Sequence, residues 1–294
     1  MAKAHPRTGE YGVDIEVLGT LAVRERGISV TPTAPKPRQV LALLALHADQ
    51  VVPVSALIEE LWQGAPPRSA RTTLQTYVLQ LRALIATALE QGEAAGEGEA
   101  APAGRRTAKD VLVTLPGGYL LNSGGGTSDV REFDRLAGMG YRAMDAGDFP
   151  GAARLLREAL SLWSGPAFAD VHGGIQLDME TRRLEETRLC ALDQRIEADL
   201  RIGRHRELLA ELTVLASRYR THENLHGQFM LALHRSGRRG EALDVYQRLR
   251  ATLVRELGLE PSAALRRLQR SILMASPETP VAAEANSERL VRVG

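Results

Sequence analysis

Little in the chain suits covalent or cofactor chemistry. It holds one cysteine, Cys190, in 294 residues. A lone cysteine closes no internal disulfide and holds no metal by itself, so the sequence predicts a protein of a reducing cytoplasm. Aromatic residues make up only 4% of the chain, which leaves its cores to Leu, Ala, Val and Ile and favours closely packed helices. The strongest apolar run, VLALLAL at Val40–Leu46, is far shorter than a bilayer requires, and the opening MAKAHPRTGEYG lacks the apolar segment of a secretory signal. Net charge is scarce too: 37 basic residues against 36 acidic ones give +1, which announces no polyanion partner, so any nucleic-acid case must rest on where the charges sit.

Motifs for catalysis are equally thin. There is no phosphate-binding loop, since the glycines at 124–126 lack the lysine and hydroxyl that would hold a nucleotide and its metal. His222, His226 and His234 have no cysteine or carboxylate to complete a zinc set and read as ordinary surface or interface histidines. Asp193, Glu197 and Asp199 read as a wet helix face. Cys190, among Leu184, Leu189 and Leu192, reads as a small core or interface residue, with a redox sensor as the other option. Trp62 and Trp163 read as core fillers near helix ends. No cofactor, metal or membrane is expected, and an enzyme is the least supported class.

What is present is enough apolar material, 44% of residues, for two cores. After a loose leader (1–13), three short β-type runs are expected near 14–18, 21–25 and 28–30, broken at Gly19 and Gly27. Three helical segments follow, Arg38–Ala48 with Pro37 in its first turn, Val54–Trp62, and a long one near Arg68–Glu90. The Gly-, Ala- and Glu-rich stretch 91–107 has too little bulk to pack and is expected to be a mobile insertion. VLVTLPGGYLL at 111–121 then reads as a hairpin turning at Pro116-Gly117-Gly118. Strands, three helices and a returning hairpin are the order of a winged helix-turn-helix, here spanning 14–122.

Beyond a link at 123–128, residues 129–274 read as helix throughout, with a disordered tail at 275–294. Gly203-Arg204 and Gly237-Arg238 lie 34 residues apart, the period of tetratricopeptide helix pairs, and Leu208, Leu209, Leu212 and Leu215 match Ala242, Leu243, Tyr246 and Leu249 in phase. Gly147-Asp148-Phe149 opens a third copy 56 residues before Gly203, so an insertion with a longer helix near 174–202 interrupts the array. The fold class is therefore an α+β winged helix-turn-helix with N-terminal strands, followed by an all-α tetratricopeptide-like domain.

On a helical wheel of about 100° per residue, the third helix puts Leu74, Tyr77, Val78, Leu81, Leu84 and Ile85 on an apolar seam. The other side carries Thr72, Gln75, Thr76, Leu79, Arg82 and Ala83, with Arg71, Thr73 and Gln80 at its borders. From Pro67 to Leu89 there are three arginines and no acidic residue. Such a ridge suits a DNA major groove, where Gln pairs with adenine, Arg with guanine, and Thr meets base edges. Arg68 and Arg71 stand near the helix N-terminus, where a phosphate is favoured. Arg105, Arg106 and Lys109, just before the hairpin, are candidate contacts to a phosphate or an adjacent minor groove. A solvated helix face and solubilising loop charges are the plainer accounts of the same residues.

The chain resembles the bacterial antibiotic regulatory protein family, which joins an OmpR-like winged helix to a bacterial transcriptional activation domain. The resemblance is carried by PKPRQVLALLALHADQVVPVSALIEELWQGAPPRSARTTLQTYVLQLRALI, by VLVTLPGGYLL, and by FDRLAG, AARLLREALSLWSGPAFAD and MLALHRSGRRGEALDVYQRLRATLVRELGLEPSAALRRLQRSIL. It implies a cytoplasmic activator of a secondary-metabolite gene cluster that binds direct repeats beside a promoter, self-associates there and recruits RNA polymerase. It also implies a recognition helix at 69–85, with Arg71, Thr72, Thr73, Gln75, Thr76, Gln80 and Arg82 as base or backbone contacts, and Tyr119 as a packing residue of the wing. Leu79-Gln80 departs from the family's Ser followed by Arg or Asn, and Arg220-Thr221 replaces a Pro-Leu pair. No receiver domain is expected in the short leader. A repressor or ligand-modulated regulator, and a helical scaffold that never meets DNA, remain the competing accounts.

Overall fold

The computed structural model describes residues 12–95 and 106–274. They divide into two compact units, Met1–Ala198 and Asp199–Gly294.

The first unit opens with an antiparallel sheet of β1 (Val13–Glu16), β2 (Ala22–Glu25) and β3 (Ile28–Ser29) in that order. Helices α1 (Pro35–Leu46), α2 (Val54–Trp62) and α3 (Ala70–Ala95) follow. α1 starts three residues earlier than the sequence pattern suggested, with Pro35 in the first turn, where its missing N–H costs nothing. Its residues Val40 to Ala45 are all buried, so α1 is a central helix without a wet face. A strand not anticipated, β4 (Val52–Pro53), lies between α1 and α2 and pairs with the hairpin of β5 (Leu112–Leu115) and β6 (Gly118–Leu121), giving the order β4-β6-β5. Two residues are too few to leave a periodic signal.

The described ends of the segment 91–107 are structured. α3 continues to Ala95, and Thr107 and Asp110 form a capping box on the short turn α4 (Ala108–Val111); positions 96–105, with Arg105, lie outside the described residues.

The stretch 123–128 is part of the fold. Val13 N–H donates to the Ser123 carbonyl at 2.8 Å and Ile15 N–H to that of Thr127 at 2.9 Å. Buried Asp14 accepts the Thr127 N–H and hydroxyl at 2.9 and 2.7 Å. Gly126 is required by this close pairing, because a Cβ there would collide with the Val13 carbonyl.

Helices α5 (Asp129–Asp145), α6 (Phe149–Ser161) and α7 (Ile175–Arg201) complete the unit. One apolar core runs through all of it, from Val13 in β1 through Leu44, Leu74 and Leu121 to Phe133, Leu156 and Ala191. Buried Trp163 meets Phe133 edge to face, with ring centroids 5.7 Å apart, and the Arg188 guanidinium lies over its ring. Trp62 is half-buried at the end of α2. Cys190 is exposed on α7 and is not a core residue; partial burial first, then Glu186 and Asp193, push its thiol up, away from a reactive thiolate.

The second unit holds the end of α7 and α8 (Leu209–Arg218), α9 (Glu223–Arg235), α10 (Arg239–Leu257) and α11 (Ala263–Met274) around Leu212, Leu225, Met230, Leu233, Tyr246 and Leu249. The repeat seen in the sequence has a backbone cause. Gly147, Gly203 and Gly237 each follow a helix with φ between +77° and +83°, a conformation a side chain would strain. Two of the three histidines singled out are structural: His222 caps α9 by accepting the Leu225 N–H, and His226 is buried.

Candidate nucleic-acid interface

α3 rests on Leu74, Val78, Leu81, Ile85 and Leu89, all buried. The residues expected to face outwards do so for the most part. Arg68, Arg71, Thr72, Gln75, Thr76, Leu79, Gln80 and Ala83 are exposed, and Thr73 is half-buried. Thr76 turns its hydroxyl back onto the Thr72 carbonyl at 3.1 Å, so it offers a groove its methyl and a lone pair. Leu84, placed on the seam by the helical wheel, stands 37% exposed instead.

Two of the candidate cations are engaged within the protein. Arg82 donates from Nε and from one terminal nitrogen to the Leu112 carbonyl, at 3.1 and 2.7 Å, and to the Thr114 hydroxyl at 2.7 Å. It therefore ties α3 to β5 and is not free for a base edge. Arg106 donates to the Asn122 carbonyl at 2.6 Å and pairs with Glu25 at 3.3 Å. Glu25 is buried, and desolvation pushes its carboxyl up against the pull of Arg106. Removing Arg106 would leave that carboxylate buried without its ion pair, which makes it a structural residue. Lys109 is exposed on α4. Tyr119 is buried, opposite Val52 and Thr114 in the wing sheet.

The surface that remains is a ridge of two arginines, threonines, glutamines and one leucine on a helix whose underside is fixed. It carries hydrogen-bonding groups and no carboxylate, and it presents no nucleophile–base pair.

Residues 29–94 match the model of the transcriptional regulatory protein C-terminal domain, and residues 128–273 match the bacterial transcriptional activator domain. The regulatory protein DnrI of Streptomyces peucetius is 52% identical over 265 residues, covering 90% of this chain and 93% of that protein. The chain belongs to the antibiotic regulatory protein family. It is a DNA-binding transcription activator of that type.

Other family relatives are longer. The regulatory protein AfsR of Streptomyces coelicolor is 35% identical over 92% of this chain but only 25% of its own length. Among solved structures, Mycobacterium tuberculosis EmbR in complex with a low-affinity phosphopeptide superposes with a TM-score of 0.78 at 31% identity, over 91% of this chain and 65% of that one. Among the described residues no helix is long and apolar enough to cross a membrane. The activator-domain match begins at 128, whereas the first compact unit continues to Ala198, so α5, α6 and most of α7 fold with the winged helix.

Proposed function

We propose that this activator works in the cytoplasm as a non-enzymatic regulator, reading direct repeats beside the promoter of a secondary-metabolite cluster and recruiting RNA polymerase there. α3 enters a major groove, with Gln75, Thr76 and Gln80 at base edges and Arg68, Arg71 and Thr72 on the backbone. Thr73, half-buried, stands at the edge of that face, and Lys109 is the wing-side cation for a neighbouring phosphate. The observation that carries this reading is the exposed, carboxylate-free ridge of α3 above buried Leu74, Val78, Leu81, Ile85 and Leu89. A single module of this kind commonly covers only about 600–1,000 Å². Tight binding by a chain of net charge +1 therefore calls for more than one protomer on adjacent repeats.

Footprinting on DNA upstream of neighbouring genes, with and without polymerase holoenzyme, tests it. The expected result is protection repeating along one face of the duplex and a rise in polymerase occupancy; protection without that rise removes the recruitment role. Gln75→Ala should shift base preference by about 1–3 kcal/mol at one position. Arg71→Ala should weaken all duplexes alike and lower the salt slope by roughly 1. Arg82→Ala should leave that slope unchanged while lowering the melting temperature, since its partners are Leu112 and Thr114.

A further inference from the structure

The second unit contains a groove of about 570 Å³ between α8 and α10, floored by α9. Its walls are one face of α8 and one face of α10. On α8 and just beyond it, Thr213, Ser217 and Arg220 recur at helical spacing; on α10, Arg248, Thr252 and Arg255 do the same. Half-buried Ala216, exposed Ala251 and the edge of Phe229 make the lining between the arginines apolar.

The groove's hydrogen-bonding capacity is one-sided. Thr213 and Ser217 give their hydroxyl protons to the Leu209 and Thr213 carbonyls of their own helix, at 2.8 and 3.0 Å. His226 lies 3.1 Å from the His222 carbonyl through Nδ1, and burial favours its neutral form. The strong donors left are guanidinium groups. Arg220 and Arg255 share a single carboxylate, Glu256, at 3.1 and 3.0 Å. Arg248 makes no ion pair among the described residues. Glu241 feels its charge, but both Glu241 oxygens are held by Arg238, at 2.7 and 2.5 Å. Three arginines and no carboxylate line the groove.

We propose that this groove binds an acidic peptide segment of a partner protein, seating an apolar side chain against Ala216, Phe229 and Ala251 and carboxylates on Arg220, Arg248 and Arg255. A duplex backbone has no apolar group to cover that lining, and a simple anion would leave it wet; a segment mixing Asp or Glu with Leu or Phe satisfies both. The site is independent of the α3 ridge and would give the DNA-bound activator a protein-binding surface.

The test is a display selection of short random peptides on the full chain, with counter-selection against an Arg248→Glu, Arg255→Glu double variant. Enrichment of acidic peptides carrying Leu or Phe is expected. Their binding should weaken by at least about tenfold in the double variant and when Asp and Glu become Asn and Gln. Ser217→Trp, an exposed α8 position, should block the groove without changing charge, with helix content and DNA binding as checks on folding. Lysine versions of the selected peptides should gain affinity for the charge-reversed chain. The proposal is overturned if no acidic class emerges, if selected peptides bind all variants equally, or if duplex DNA displaces them.

Discussion

Leu79 stands 63% exposed in the middle of the polar α3 ridge, with Gln75, Thr76, Gln80 and Ala83 exposed around it. An apolar group at that place matches one feature of the major groove, the thymine methyl. Replacing the thymine beneath it by deoxyuridine removes one methyl and nothing else. Wild-type affinity should then fall by about 0.8 kcal/mol, roughly fourfold, while Leu79→Ala should bind both duplexes alike. Equal binding of the two duplexes by the wild type at every thymine of the site would remove this role for Leu79. The outward direction of Leu79, Gln75 and Thr76 was legible from helical spacing alone. Arg82 was not, because a wheel gives the direction of a Cβ and not the end of a long side chain. Its guanidinium reaches a carbonyl thirty positions away, in a strand whose place only the tertiary fold decides. Arg106 escaped the sequence for the same reason, since nothing local to it announces Glu25.

Between elements, Asp129 shows how a strand and a helix are joined. It begins α5, and one of its oxygens accepts the N–H groups of Val17 and Leu18, just past β1, at 2.7 and 2.8 Å; the other oxygen is buried and unpartnered. Desolvation outweighs those bonds and pushes the carboxyl from 3.8 up to about 6. The folded chain thus takes up this proton before the unfolded chain does, and Asp129 contributes more to stability as pH falls from about 7 to about 4. The whole span is worth about 3 kcal/mol. Other carboxylates, such as Asp49 beside Arg131, are shifted downwards and act oppositely, so the comparison must be with Asp129→Asn. Trp62 and Trp163, both in the first unit, report its denaturation. The wild type should gain on the Asn variant between pH 7 and pH 5, and a constant difference would refute the assignment. The elements were largely legible: the strands, helices and hairpin of the first unit fall near their anticipated places. The two-residue β4 and the pairing of 123–128 with β1 were not, because glycines and threonine at a sheet edge look like a linker when their partner lies far away in sequence.

On the scale of the molecule, the notable contact is Glu60. It belongs to α2, within the helix-turn-helix, yet its buried carboxylate accepts the N–H groups of Gly174, Gln176 at 2.9 Å and Leu177 at 3.3 Å, at the start of α7. An acidic group thereby caps a helix N-terminus more than a hundred residues away, where the helix dipole favours negative charge. Gln39 of α1 binds the same carboxylate at 3.2 Å. Nearby chain reinforces the junction: Ser164 and Phe168 donate to the Leu18 and Val17 carbonyls, and Asp170 accepts from Leu21 and pairs with Arg38. The recognition module is therefore fixed to α5, α6 and the start of α7 through one core, not tethered by a loose link. Glu60→Ala should leave three amides without their acceptor and cost about 3 kcal/mol, the range for breaking a buried charged network. Hydrogen exchange distinguishes this from a local defect. Protection should fall at 174–177 and through α2 together, while α9 and α10 in the second unit keep theirs. Loss confined to α2 would mean that the winged helix and the helices after it open separately, and the single core would lose its energetic meaning.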